Sequence, residues 1–171
     1  MLTQDEPGWF DGVFAVDSRG VFSKTFGDAL PIDFRVDEIF WSTSKRGVVR
    51  GLHFQTPDAP IAKLVWVSSG SAYDVAVDLR DHAEFGTVHL FDLDASRGGG
   101  AYIPAGFAHG FQALEEGTIV NYAQQGVYVR DADAGIRWDS ARVDWPLPIG
   151  EMSDRDRAFP TLLDYAPRFP R

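Results

Sequence analysis

Cysteine is absent from this 171-residue chain, which removes disulfides and thiolate metal sites from consideration and agrees with a reducing compartment. Basic residues are few: 16 Lys and Arg stand against 25 Asp and Glu, a net charge of -9. A surface of that sign repels polyanions, so nucleic acid is excluded as a partner and any phosphate site has to be local. No apolar run approaches the ~18 residues that a membrane span needs, and the N-terminus, MLTQDEPGWF, is acidic without an apolar leader. The expectation is a cytoplasmic protein with no membrane partner. Long amphipathic helical patterns are missing too.

What the chain does have is short apolar runs. GVFAV, VFSKTF, AKLVWV, AYDVAVDL and TVHLFDLD are five to eight residues each and end at turn residues, followed by AYIP, AHGFQAL and TIVNYAQQGVYV. Their length and their β-branched and aromatic content suit strands. Many short strands with Gly, Pro and Asp between them predict an all-β antiparallel sandwich or barrel. The proline-crowded C-terminal stretch predicts a loop wrapped over the sheet, with one helical turn near Ser153 to Arg157. With 44% hydrophobic residues, residues 1–171 form one domain around one core.

Histidines number four. His82, in the polar turn RDHAEFG, reads as surface, and His89, alternating with Val88 and Leu90, as an outward sheet residue. His109 lies in IPAGFAHGF, whose P-x-G-x-x-H spacing is similar to the second half of the cupin barrel signature. The first half of a metal-binding cupin supplies H-x-H and a glutamate. Here that place reads G-L-H-F-Q, one histidine and no carboxylate, short of a three-ligand site, so no metal is expected. His53 is then left to act through its own imidazole, which titrates near neutrality and suits proton abstraction. Arg50 and His53 would point to opposite faces of a regular strand unless a bulge at Gly51 turns both inward; the plainer reading makes Arg46 and Arg50 edge-strand gatekeepers and His53 a satisfied core polar residue. Lys63 and Tyr122 interrupt apolar strands and are expensive to bury without a ligand. Asp74 and Asp78 share a face and read as solvated, with Arg80 as a partner.

RGVVRGLHFQ, AKLVWVSSGSAYDVAVDLRDHAEFG, YIPAGFAHGF, Tyr122, and DWP with SDRD follow in order the pattern of the sugar-nucleotide 3,5-epimerases acting on dTDP-4-dehydro-6-deoxyglucose. The resemblance runs from about Asp17 to Asp156 and implies a cupin-type jelly roll, a homodimer with N-terminal strand exchange, a nucleotide-sugar substrate and no cofactor. It also implies roles. His53 is the base, Asp156 its orienting partner and Tyr122 the acid on the opposite face of the sugar. Lys63 and His109 lie near the C4 carbonyl, and Arg19 and Arg50 hold the diphosphate. Phe22, Gln55, Asp133 and Arg155 complete the substrate-binding set. Departures gather on the nucleotide side, where Lys24 stands for a glutamate, Glu38-Ile39-Phe40 for Gln-x-Asn, and Asp133 for a glutamate. Which carbon is inverted and which base is carried stay open, and a sugar-nucleotide-binding cupin without turnover is the alternative from another class.

Overall fold

The apolar runs become twelve strands in the computed structural model, which describes residues 2–26, 30, 32–165 and 169. In chain order these are β1 (Gly8–Phe10), β2 (Val13–Asp17), β3 (Gly20–Lys24), β4 (Glu38–Ser44), β5 (Val49–Gln55), β6 (Ala62–Ser69), β7 (Ser71–Asp78), β8 (Val88–Asp94), β9 (Gly100–Ile103), β10 (Phe107–Ala113), β11 (Thr118–Gln125) and β12 (Asp133–Gly135). One sheet has the order β1-β9-β6-β11-β4 and the other β12-β5-β10-β7-β8, with every pairing antiparallel. This is the cupin-type sandwich that the sequence pattern implied.

Side-chain alternation builds three apolar layers. Val65, Ala76, Ile103, Phe107, Phe111 and Val120 meet between the sheets. Leu52, Phe54, Val75, Val77 and Ala108 face outward from the second sheet and are covered by Ile136, Ala141, Leu162, Tyr165 and Phe169 of the C-terminal segment. Leu64, Tyr102 and Ala123 face outward from the first sheet under Phe26, Leu30, Ile32 and Phe34. Both sheets are thus buried on both faces over much of their area. For that reason AKLVWV reads as a continuous apolar run.

The C-terminal wrap contains the one-turn helix α1 (Asp154–Ala158), capped by the Ser153 side chain, which accepts from the Asp156 amide at 3.0 Å. Among the described residues β2 and β3 pair only with each other, as a hairpin outside both sheets. That hairpin exposes Val13, Val16, Val21 and Phe22.

Candidate active site

β5 carries the first group. Its register against β10 sets His53 opposite His109 and Arg50 opposite Phe111, so three positions on β5 span two on β10. The extra residue is the bulge expected at Gly51, and it brings Arg50 and His53 to one face. Gly51 has φ +133, and a Cβ on it would lie 2.7 Å from the Cα of Gly110. Only glycine fits at that crossing.

His53 Nε2 lies 2.9 Å from Asp156 Oδ1. A carboxylate only accepts, so Nε2 carries the hydrogen, and Nδ1 is left as the proton-accepting nitrogen of the neutral ring. The other Asp156 oxygen accepts from the Gly51 amide at 3.1 Å. Burial pushes the Asp156 carboxyl up, but the bonds from His53, Gly51 and Ser153 together outweigh it and hold the group below its ordinary value. The carboxylate is therefore ionised wherever the histidine works.

A second pair faces the first. His109 Nε2 donates to Asp74 Oδ2 at 2.7 Å, with the two side chains 4% and 0% exposed. Asp74 Oδ1 is buried without a hydrogen-bond partner. This corrects the solvated reading of Asp74 and Asp78, both of which are fully buried. Asp78 is held by Arg80 through Nε and Nη2, the latter at 2.7 Å. Asp78 also lies 3.2 Å from Nε2 of His82, whose Nδ1 accepts from the Glu84 amide. His82 is thus a buried tether rather than a surface residue. Asp78, His82 and Glu84 lie close enough to hold an ion, but Arg80 already engages both Asp78 oxygens and His82 is tied to Asp78 and the Glu84 amide. His89, expected to face outward, packs edge-on against Phe107 at 5.7 Å.

Tyr122 and Lys63 close the site. Tyr122 is 8% exposed, lies edge-on to His109 at 6.0 Å and is stacked by Phe40. Burial first, then the charge of Asp74, pushes its phenol well above the ordinary value, while Ser42 and Arg50 oppose the shift. The ring stays protonated across the working range and can donate. Lys63 is half-buried; burial lowers its pKa to about 8 against the opposing pull of Asp74 and Asp133. Phe40, Arg50, His53, Lys63, His109 and Tyr122 all line one cavity of 220 Å³. A second cavity of 590 Å³, with Lys45, Ser153, Arg155 and Asp156 in its wall, meets it at Arg50 and His53.

The remaining sequence-derived positions divide. Arg50 donates to Ser44 Oγ and the Thr43 carbonyl, which uses two of a guanidinium's five donors and leaves the others for an anion. Asp133 accepts from Arg155 at 2.7 Å and from the Tyr128 hydroxyl at 3.0 Å, so it joins the site through Arg155. Tyr128, exposed beside them, escaped the sequence reading. The Gln55 amide donates to the Ala59 and Val127 carbonyls and accepts from the Val129 amide. Its polar atoms bond to the backbone, and it is 2% exposed, so it braces the loop. Arg19 and Phe22 sit on the exposed hairpin, where Arg19 pairs with Asp17, and they line neither cavity of their own chain. Glu38 accepts from Gln124 Nε2 and the Tyr128 amide, so the residue standing for an amide ties β4 to the 126–128 turn.

Fold and pocket together define a class: a cupin-type β-sandwich whose acid–base side chains converge on a small cavity. The profile of the dTDP-4-dehydrorhamnose 3,5-epimerase family matches residues 8–164. The dTDP-4-dehydrorhamnose 3,5-epimerase of Methanothermobacter thermautotrophicus is 40% identical over 161 residues, covering 86% of this chain and 85% of that protein. Among solved structures, the Legionella pneumophila dTDP-6-deoxy-D-glucose-3,5-epimerase in complex with dTDP-4-keto-L-rhamnose superposes with a TM-score of 0.86 at 28% identity, over 96% of this chain and 99% of that one. ChmJ, a 3'-monoepimerase from Streptomyces bikiniensis in complex with dTDP-quinovose, superposes at 0.84 with 27% identity, over 95% and 86% of the two chains. The chain belongs to the dTDP-4-dehydrorhamnose 3,5-epimerase family, whose members are sugar-nucleotide isomerases.

Lys63 carries a prediction at this point. If its ammonium is needed, kcat/KM falls as pH rises through about 8, because the charge is present below that value and lost above it. Lys63→Arg, which never titrates in that range, should remove that limb even if overall activity drops. A limb unchanged in the arginine variant would assign it to another group.

Proposed function

We propose that this chain epimerises a nucleotide-linked 4-keto-6-deoxyhexose at C3, C5 or both, with dTDP-4-dehydro-6-deoxyglucose as the first-choice substrate. The observation that carries the reading is the pair of His–Asp contacts whose histidines sit opposite each other on adjacent strands, with a protonated phenol and a lysine beside them around one cavity. In the reaction His53 takes the hydrogen next to the C4 ketone as a proton, and the electron pair moves onto the C4 oxygen as an enolate. Lys63, beside the His109–Asp74 pair, supplies positive charge and a donor to that oxygen, which gains charge only along the reaction path. Tyr122 returns a proton to carbon from the opposite face, which inverts the centre. No step in that sequence calls for a cofactor. Arg50 and Arg155 suit the diphosphate.

The same reading treats residues 1–171 as one catalytic domain working in the cytoplasm as a homodimer. No helix among the described residues is long and apolar enough to cross a membrane. Val16, Val21 and Phe22 on the hairpin and Ile39 and Trp41 on β4, an edge strand, are exposed, and a second copy exchanging its N-terminal strands would cover such surfaces. Arg19 and Phe22 would then reach the partner's nucleotide. The test is an NMR exchange assay in D2O with dTDP-4-dehydro-6-deoxyglucose and its CDP and GDP counterparts, run beside sedimentation at micromolar concentration. Deuterium uptake at C3 or C5 with an inverted product is expected, in a dimer. No uptake with any of the three sugar nucleotides sinks the catalytic reading and favours a binding protein, and a monomer sinks the strand exchange.

A further inference from the structure

Phe40 has no role in the scheme above, yet it touches the acid directly. β4 and β11 pair with Phe40 directly opposite Tyr122, so the two side chains share a face. Their ring centroids are 4.7 Å apart and the planes differ by 16°. A second surface of the phenol meets His109 nearly at right angles, 81° between planes. The same Phe40 ring lines the 220 Å³ cavity with His53 and Lys63.

A phenol ring has a broad χ2, so its plane is set by whatever packs against it. Here Phe40 supplies the parallel contact and His109 the perpendicular one, which leaves the phenol one orientation over the cavity. The sequence position is also informative, since it is one at which this chain has Phe where the pattern it resembles has an amide. An amide has no ring to stack, and the plane of the acid would then rest on His109 alone.

We propose that Phe40 is a positioning residue that fixes the plane of Tyr122, and with it the efficiency of protonation from the face opposite His53. This rests on the epimerase reading. Proton removal is the work of His53 and inversion needs Tyr122, so the two steps separate in one experiment. Solvent exchange with retention reports the base alone, and inversion reports base and acid together.

The test uses the full chain and dTDP-4-dehydro-6-deoxyglucose in D2O, with exchange and inverted product followed at C3 and C5. Phe40→Leu keeps an apolar side chain but removes the plane. It should lower the ratio of inversion to exchange about tenfold, the size a lost aromatic stack can account for. Phe40→Tyr, which keeps the ring, should restore the ratio. In a Tyr122→Phe background Phe40→Leu should change the ratio no further, since the two residues then act through one group. Phe40 is 40% exposed, and thermal denaturation of each variant separates a folding defect from a positioning one. A Phe40→Leu protein that folds and keeps the wild-type ratio overturns the inference while leaving the epimerase reading intact. Wild-type protein that exchanges no hydrogen overturns both.

Discussion

His53→Ala should cut solvent-deuterium uptake at C3 and C5 by roughly 10²–10⁴-fold, the range a positioned general base contributes. The loss should fall on exchange itself rather than on inversion alone, because no other described residue has the same arrangement. Each of the two histidines holds an aspartate through Nε2, but His109 is 3% exposed, whereas the His53 side chain is 33% exposed where the two cavities meet. Asp156→Asn should give an intermediate loss, mainly in kcat. The asparagine keeps the volume but removes the charge that favours the imidazolium, and its amide can offer a donor where His53 needs an acceptor. The assay is the rate of C–H to C–D exchange at fixed pD, normalised to folded protein. A His53→Ala protein exchanging within threefold of wild type would move the base elsewhere in the cavity.

The second large effect is expected from a residue with no side chain. Gly51→Ala should abolish activity and lower stability by roughly 2–4 kcal/mol, the sum of a strained backbone and an overpacked contact. Two observations set this. The φ of +133 at Gly51 disfavours any Cβ, and that Cβ would meet Gly110 Cα at 2.7 Å and the His109 carbonyl at 3.0 Å. The neighbour has no room to yield, since a Cβ on Gly110 would in turn lie 2.6 Å from the Arg50 carbonyl and 2.8 Å from Leu52 Cδ2. Relaxing the clash means flattening the bulge, which returns Arg50 and His53 to opposite faces. Urea unfolding with an unchanged m-value would report the stability loss. An alanine variant with wild-type midpoint and exchange rate would show the bulge to be dispensable.

Much of this site was legible because its residues break local rules. Gly51 between two polar residues in an apolar strand signalled the bulge, and Lys63 and Tyr122 stood out as polar groups in buried runs. The strands and the helical turn after Ser153 followed from short apolar runs, turn residues and the proline-crowded C-terminal stretch; the Ser153 cap is seen only in the structure. Asp74 was misread for a physical reason. Alternation puts it on one face with Asp78, but alternation alone does not say that a strand is covered on both faces. In fact β7 is covered on both sides, by the other sheet and by the C-terminal wrap. Gln55 is a different case. A family pattern marks a position without saying whether its amide meets ligand or backbone, and here the backbone of residues 59, 127 and 129 takes it. Arg19 and Phe22 lie beyond what one chain's packing can position.

The capped turn at Ser153 has a further bearing. Asp156 is 103 positions from His53 in the chain, and it arrives on a single helical turn within a proline-rich wrap, not on a sheet strand. Segments of that kind open locally at a lower free energy than the strands beneath them. The orientation of the proposed base therefore depends on a segment less firmly held than the sheets. On gentle heating or in mild denaturant, turnover should fade while the sandwich is still intact, so enzyme assays would report the opening of the wrap and spectroscopy the melting of the sheets.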